Sequence, residues 1–90
     1  MTSAVILLTV EGPETSKVAQ RIASLKGVKE VFSVAGNYDL VAIVHVDAND
    51  QLADLVSDHI RSIPGVLSSQ TLIAFRTYSA KDLAMMVPLD

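Results

Sequence analysis

The sequence predicts an α+β fold in the order β-α-β-β-α-β, an antiparallel sheet with two helices on one face, and three observations carry that expectation. Ile22-Ala23-Ser24-Leu25-Lys26-Gly27-Val28 recurs as Ile60-Arg61-Ser62-Ile63-Pro64-Gly65-Val66, an offset of 38 residues. The same offset lays the apolar run Ala4-Val5-Ile6-Leu7-Leu8 on Ala42-Ile43-Val44-His45-Val46, so each half reads strand, helix, strand. The glycines fall between these segments, at Gly12, Gly27, Gly36 and Gly65, where turns are needed. Two such units are too few for a solenoid but suit the split β-α-β pair of a ferredoxin-like sandwich, its strands ordered 4-1-3-2.

Taken in order, a strand is expected over 3–11, a helix over 14–26, strands over 28–36 and 39–47, a helix over 50–63 and a strand over 66–76. The first helix has Val18, Ile22 and Leu25 at helical spacing, Gly12-Pro13 before its opening turn, and Gly27 beyond its end as a left-handed cap. The second has the stripe Leu52, Leu55, Val56, Ile60 and Ile63; Asn49 or Asp50 is placed to cap it and Pro64-Gly65 forbids its continuation. In Ala4 to Val10 and Leu40 to Val46 apolar residues occupy successive positions instead of alternating, as in strands buried on both faces. Two helices cover only one face. Burial at roughly 25 cal/mol per Å² makes the sheet of an identical chain the simplest cover for the other, the packing of a dimeric α/β-barrel. The tail Leu83-Ala84-Met85-Met86-Val87-Pro88-Leu89 is too apolar to hang free and is expected, over 83–90, to dock on a neighbouring protomer.

Ninety residues make a single domain, 1–90, with no linker or low-complexity segment between the halves. Half of the residues are apolar but only 4% aromatic, so the core must be built from many small aliphatic side chains. Seven basic residues are scattered among ten acids for a net charge of −3, which argues against a phosphate-binding footprint and against direct nucleic-acid binding. Zero cysteines exclude disulfides and thiolate metal sites. Met1-Thr2-Ser3 carries no basic n-region, and Ala4 to Leu8 is too short for a signal-peptide core or a membrane span, so a soluble cytoplasmic protein with no membrane partner is expected.

The segment Val34-Ala35-Gly36-Asn37-Tyr38-Asp39-Leu40-Val41-Ala42-Ile43-Val44 sets a tight glycine turn carrying one acid between two strand-forming runs. Asn and Gly tolerate the positive φ of such turns. Asp39 has two readings: a carboxylate placed to accept hydrogen bonds from the ammonium of a small ligand, or an acid that stabilises the turn through its own backbone. Tyr38 offers a flat wall with a polar tip, and Gly36 permits close backbone approach. This hairpin, roughly Gly-x-Tyr/Trp-Asp followed by a hydrophobic strand, closely resembles that of the effector-binding domain of the Lrp/AsnC family of feast/famine regulators, and the resemblance runs through nearly the whole chain. It implies a ligand site that includes Gly36, Tyr38 and Asp39, with Asn37 at a position where the family varies and so able to tune specificity.

Ser68-Ser69-Gln70-Thr71 opens the last strand, and alternation puts the Ser69 and Thr71 hydroxyls on one face. An edge strand softened against aggregation explains the same cluster. The resemblance implies effector contacts from this strand and adds Ser69 and Thr71 to the site. In a 4-1-3-2 sheet, however, the strand and the 36–39 loop lie toward opposite edges, so a site using both is expected to combine protomers. His45 and His59 read as structural: no Cys, Ser-His-Asp order, HExxH helix or second carboxylate completes a catalytic or metal set with them, and no phosphate loop is present.

The expectation is therefore a non-enzymatic regulatory module without cofactor or metal, binding a small-molecule effector, an amino acid by the resemblance. It forms a homodimer, with a ring of dimers and co-assembly with full-length Lrp/AsnC relatives as further levels. The chain begins directly on its first strand, without the helix-turn-helix of about fifty residues that the family's members carry, so the resemblance implies no DNA recognition. Two other readings share the fold: a dimeric α/β-barrel enzyme of the cofactor-free monooxygenase or decarboxylase type, and an ACT-like amino-acid-binding module. Fold alone does not separate them.

Overall fold

The computed structural model describes residues 1–80. The strands β1 (Thr2–Val10), β2 (Val28–Ser33), β3 (Leu40–Val46) and β4 (Val66–Ile73) and the helices α1 (Thr15–Ala23) and α2 (Asn49–Asp54) follow one another in the expected order. They build a four-stranded sheet ordered β2-β3-β1-β4 in which every neighbouring pair is antiparallel, the ferredoxin-like arrangement. The tail expected to dock on a neighbour lies outside the described residues.

Alternation along the central strands decides which side is core. Ala4, Ile6, Leu8 and Val10 of β1 and Leu40, Ala42 and Val44 of β3 are buried against Val18 and Ile22 of α1 and against Leu52, Leu55, Ile60 and Ile63. The opposite face holds Val5, Leu7, Val41 and Ile43, half-buried and covered by no helix. Cross-strand partners share a face, so Phe32, opposite Val41, and Leu72, opposite Val5, extend this open side at 47% and 46% exposure.

Several ends differ from expectation for local reasons. β2 stops at Ser33 rather than 36 because the Val34 N–H turns to the Asp39 carbonyl (3.0 Å) and closes the hairpin. β4 stops at Ile73 rather than 76; the Ala74 N–H makes the last rung, to the Ser3 carbonyl at 2.8 Å. The first helix is preceded by a 3₁₀ turn at Gly12–Glu14, where the Thr15 hydroxyl donates to the Gly12 carbonyl. Ser24 ends it, donating to the Arg21 carbonyl at 2.7 Å.

The second helix is α-helical only to Asp54. Leu55–Ile60 widens into a π turn, and the Arg61 N–H reaches back five residues to the Val56 carbonyl at 3.0 Å. Its N-cap is Ala48, which has no side chain to offer. Asn49 instead accepts from the Thr2 hydroxyl, and Asp50 accepts from the neighbouring Gln51 N–H, so neither acts as the expected cap.

The internal repeat holds for the outer strands and helices but not for the inner strands. The β2–β3 pairing shifts by one residue between Val28 and Glu30, and the β4–β1 pairing shifts between Val66 and Ser68, so Lys29 and Leu67 are extra residues 38 apart. Yet Val28 faces Val44 while Val66 faces Val10, an inner-strand offset of 34. Both offsets are even. Each keeps inward residues inward, which is why two apolar runs superimpose in sequence at the wrong one. The four extra residues of the second half lie between Val44 and Val56, about one helical turn more than between Val10 and Val18.

Candidate functional site

Gly36 has φ +123°, and a Cβ placed on it meets nothing within 4 Å. Only the backbone conformation, not space, requires glycine there. No other residue among those described has positive φ except Gly27 and Gly65, so Asn37 serves no left-handed role and stands exposed in the loop.

Asp39 is held by three hydrogen bonds. Its N–H donates to the Leu8 carbonyl at 2.8 Å, its carbonyl accepts from Val34, and its Oδ2 accepts from the Val10 N–H at 2.9 Å. Val10 sits where the register of β1 against β4 shifts, and the Asp39 carboxylate satisfies its partly buried N–H. The carboxylate thus has a structural role, but a different one from the turn-stabilising role offered by the sequence: it ties the loop to β1 and makes no side-chain bond to its own turn. Its other oxygen, Oδ1, makes no hydrogen bond among the described residues.

Tyr38 turns to the open face of the sheet. Its hydroxyl donates to the Gln70 Oε1 at 2.7 Å, and Gln70 faces Leu7 on that side of β4. Beside it the Thr9 and Ser68 hydroxyls are hydrogen-bonded, completing a polar strip at one end of the apolar patch, whose other margins carry Glu30, opposite Ile43, and the Ser3–His45 pair. Loop and last strand therefore meet within one chain, where the strand order had suggested two. The Tyr38 side chain spans what the backbone does not.

Ser69 and Thr71 do share a face, but it is the helix side: they oppose Leu8 and Ile6, whose side chains point into the core, and both are half-buried. The structure brings Gly36, Asn37, Tyr38 and Asp39 together and leaves Ser69 and Thr71 across the sheet from them. Gln70 was missed. Its signal was the register, since pairing with Leu7 puts position 70, not 69 or 71, under the tyrosine.

Surface clefts lie elsewhere among the described residues. One of about 510 Å³ gathers His45 and His59 with Lys26, Lys29, Asp47 and Asp54 over Leu55; no Ser, Thr or Cys nucleophile lines it. His45 Nδ1 lies 3.4 Å from the Met1 sulfur. A second, of about 280 Å³, occupies the corresponding place on α1, beside Lys17, Arg21 and Pro64. The third, of about 510 Å³, contains Arg61, Ser69 and Thr71. Among the described residues no group of three or more His, Cys, Asp or Glu is placed to hold a metal, and no helix is long and apolar enough to cross a membrane.

A family model described as the Lrp/AsnC ligand binding domain matches residues 3–83. The HTH-type transcriptional regulator FL11 of Pyrococcus horikoshii is 33% identical over 75 residues, 83% of this chain and 49% of FL11. The chain thus spans about half the length of such curated relatives. The crystal structure of TTHA0845 from Thermus thermophilus is similar with a TM-score of 0.84 and 40% identity, over 88% of this chain and 99% of that one. The fold also matches a transcriptional regulator of Neisseria meningitidis, NMB0573 in complex with L-Met, with a TM-score of 0.79 at 16% identity, over 87% of this chain and 52% of that one.

Proposed function

The chain belongs to the Lrp/AsnC ligand-binding-domain family, and from that premise we propose that it is an amino-acid-responsive regulatory module whose effector binds at the Gly36–Asp39 hairpin on the open face of the sheet. The Tyr38–Gln70 hydrogen bond carries this reading, because it holds an aromatic wall and an amide at the rim of the surface that the helices leave uncovered. Asp39 contributes its second carboxylate oxygen, a charge-assisted acceptor for an ammonium group. Gly36, with open space around it, lets ligand backbone or carboxylate approach the chain. Among the fold's relatives NMB0573 is in complex with L-Met, which makes an amino acid the first effector to test.

The open face itself is the assembly surface. Val5, Leu7, Phe32, Val41, Ile43 and Leu72 form a continuous apolar patch by register, and a second copy of the chain covers it with the same patch in a two-fold interface. Ligand at the rim then changes assembly to the extent that it binds one state better than the other, and through assembly it acts on full-length regulators of the family. The names of the relatives place such domains in transcriptional regulators. A regulatory rather than enzymatic role follows for this chain, and no cofactor is needed.

The test is a thermal-shift screen of the twenty amino acids with the mass of the assembly measured in parallel. One or a few amino acids raise Tm and shift the mass distribution. Equal Tm with all twenty, or a monomer at micromolar concentration, refutes the reading.

A further inference from the structure

The helix side of the molecule divides its charges between the two halves. Four of the seven bases, Lys17, Arg21, Lys26 and Lys29, fall within residues 15–29, where the sequence has no Asp or Glu. Four of the ten acids, Asp47, Asp50, Asp54 and Asp58, fall within residues 46–60, where it has no Lys or Arg. All eight are exposed. The helix-bearing segments of a repeated scaffold thus carry opposite charge.

These groups do not neutralise one another within the chain. Lys26 and Lys29 line the same cleft as Asp47 and Asp54, yet among the described residues the one ion pair is that of Lys17 with Glu14, at 4.0 Å and with the lysine side chain 86% exposed. Helix geometry keeps each set in line. Lys17 and Arg21 stand one turn apart on α1, each beside a buried residue, Val18 and Ile22. Asp50, Asp54 and Asp58 are also spaced by four. In a straight α-helix residues eight apart diverge by about 80° around the axis; the π turn at Leu55–Ile60 holds more residues per turn and takes back part of that drift. The widening of the second helix aligns its acids.

We propose that the helix layer is an interface between two copies of this chain, in which the basic α1 side of one copy lies against the acidic α2 side of the other. A two-fold axis running along the helices, between two facing layers, sets α1 over the other copy's α2 and α2 over the other copy's α1, so every complementary contact occurs twice. The two-fold across the helices sets α1 on α1 and α2 on α2. Like charges then meet, which selects the first arrangement. The occupant follows from the same complementarity: a surface half basic and half acidic is matched by its own inverted copy, whereas a nucleic acid or a polybasic segment is attracted by one half and repelled by the other. Exposed ion pairs are individually weak and are screened by salt, so this association is weak and reversible. It uses the side of the sheet opposite the open apolar face and does not rest on the effector reading.

The test is sedimentation of the full chain over a range of protein concentrations at about 0.05 M and about 0.5 M sodium chloride. A step that doubles the mass is expected at the lower salt, with a Kd at least about tenfold larger at the higher salt; burial of the apolar sheet face is not weakened by screening. Lys17→Glu with Arg21→Glu, and separately Asp54→Lys with Asp58→Lys, each weaken the step by at least about tenfold when the variant is alone, because its facing helices then repel. An equimolar mixture of the two variants restores the step, and so does the chain with all four changes. Rescue by mixing separates complementarity from damage, since a misfolded variant is not repaired by another. A step that salt leaves unchanged, a step that survives in both variants, no rescue in the mixture, or no step up to about 1 mM overturns the proposal. A constant two-chain mass without a salt-sensitive step leaves the sheet-face dimer intact and removes this interface alone.

Discussion

The two halves of the molecule share a plan and differ in what they do with it. Both outer strands enter through a left-handed glycine, Gly27 and Gly65, and both carry an extra residue near their start, Lys29 and Leu67. These are the features that the repeat preserves because they set how an outer strand leaves its helix and joins an inner one. The halves part company elsewhere. The second inserts about a turn before its buried stripe and opens its helix into a π turn, while α1 has no such widening. Where the first half has Ala23 and Val31, the second has Arg61 and Ser69. Scaffold is what the halves have in common, and candidate chemistry lies where they differ.

The sharpest way to break that comparison is at the shared glycines. A Cβ on Gly27 stands 2.9 Å from Val46 Cγ1 and 3.4 Å from the His45 carbonyl oxygen, at φ +97°. On Gly65 it stands 3.1 Å from both Glu14 Cβ and Val18 Cγ2, at φ +101°. Backbone strain and overpacking add, so Gly27→Ala is expected to lose about 2–4 kcal/mol and Gly65→Ala slightly less, by chemical denaturation. Gly36→Ala, with a positive φ but free space, should lose only about 1–2 kcal/mol. If Gly36→Ala costs as much as Gly27→Ala, the glycines do not divide into scaffold and loop.

A second test falls at the inner strands. β1 continues to Thr2 and pairs its backbone with β3 as far as Val46, but β3 begins at Leu40, and at that end a side chain, the Asp39 carboxylate, takes up the Val10 N–H. Asp39→Ala leaves that partly buried donor without its partner, and the expected loss is about 1.5–3 kcal/mol of stability. Asp39→Asn retains an oxygen acceptor without the charge and should recover part of it. Effector affinity, read by calorimetry well below Tm, separates the two functions of the residue: if Oδ1 also binds ligand ammonium, Asp39→Asn weakens binding by more than its stability loss explains.

How far the sequence reached follows from the kind of signal each feature leaves. The recurring Ile22–Val28 and Ile60–Val66 segments located the helices and outer strands, because a glycine that must be left-handed and an apolar stripe at helical spacing are both local. The offset of the inner strands was illegible: Ala4–Leu8 slides on Ala42–Val46 by any even step without exposing a core residue. The same ambiguity governs the site. Parity correctly put the Ser69 and Thr71 side chains on one face, but which face depends on pairing with Leu8 and Ile6, and with it the identity of Gln70 as the partner of Tyr38. The π turn left no pattern in the apolar stripe. Arg61 therefore read only as one of seven scattered cations.

The smallest expected effect tests the link between the halves that the hairpin makes. Tyr38 and Gln70 belong to the loop before β3 and to β4, and their hydrogen bond at 2.7 Å crosses β1 at a largely exposed position. Such a bond competes with water, so Tyr38→Phe should cost only about 0.5–1 kcal/mol of stability, and Gln70→Ala a similar amount. Their double-mutant cycle should give a coupling of about 0.5 kcal/mol in the isolated chain. If the open face is covered by a second copy, water is excluded from the rim and the coupling grows. Measured as a function of protein concentration across the assembly transition, the cycle should therefore rise from about 0.5 toward 1.5 kcal/mol. A coupling that stays flat over that range places the pair outside any buried surface, and with it the hairpin wall on which the effector reading depends.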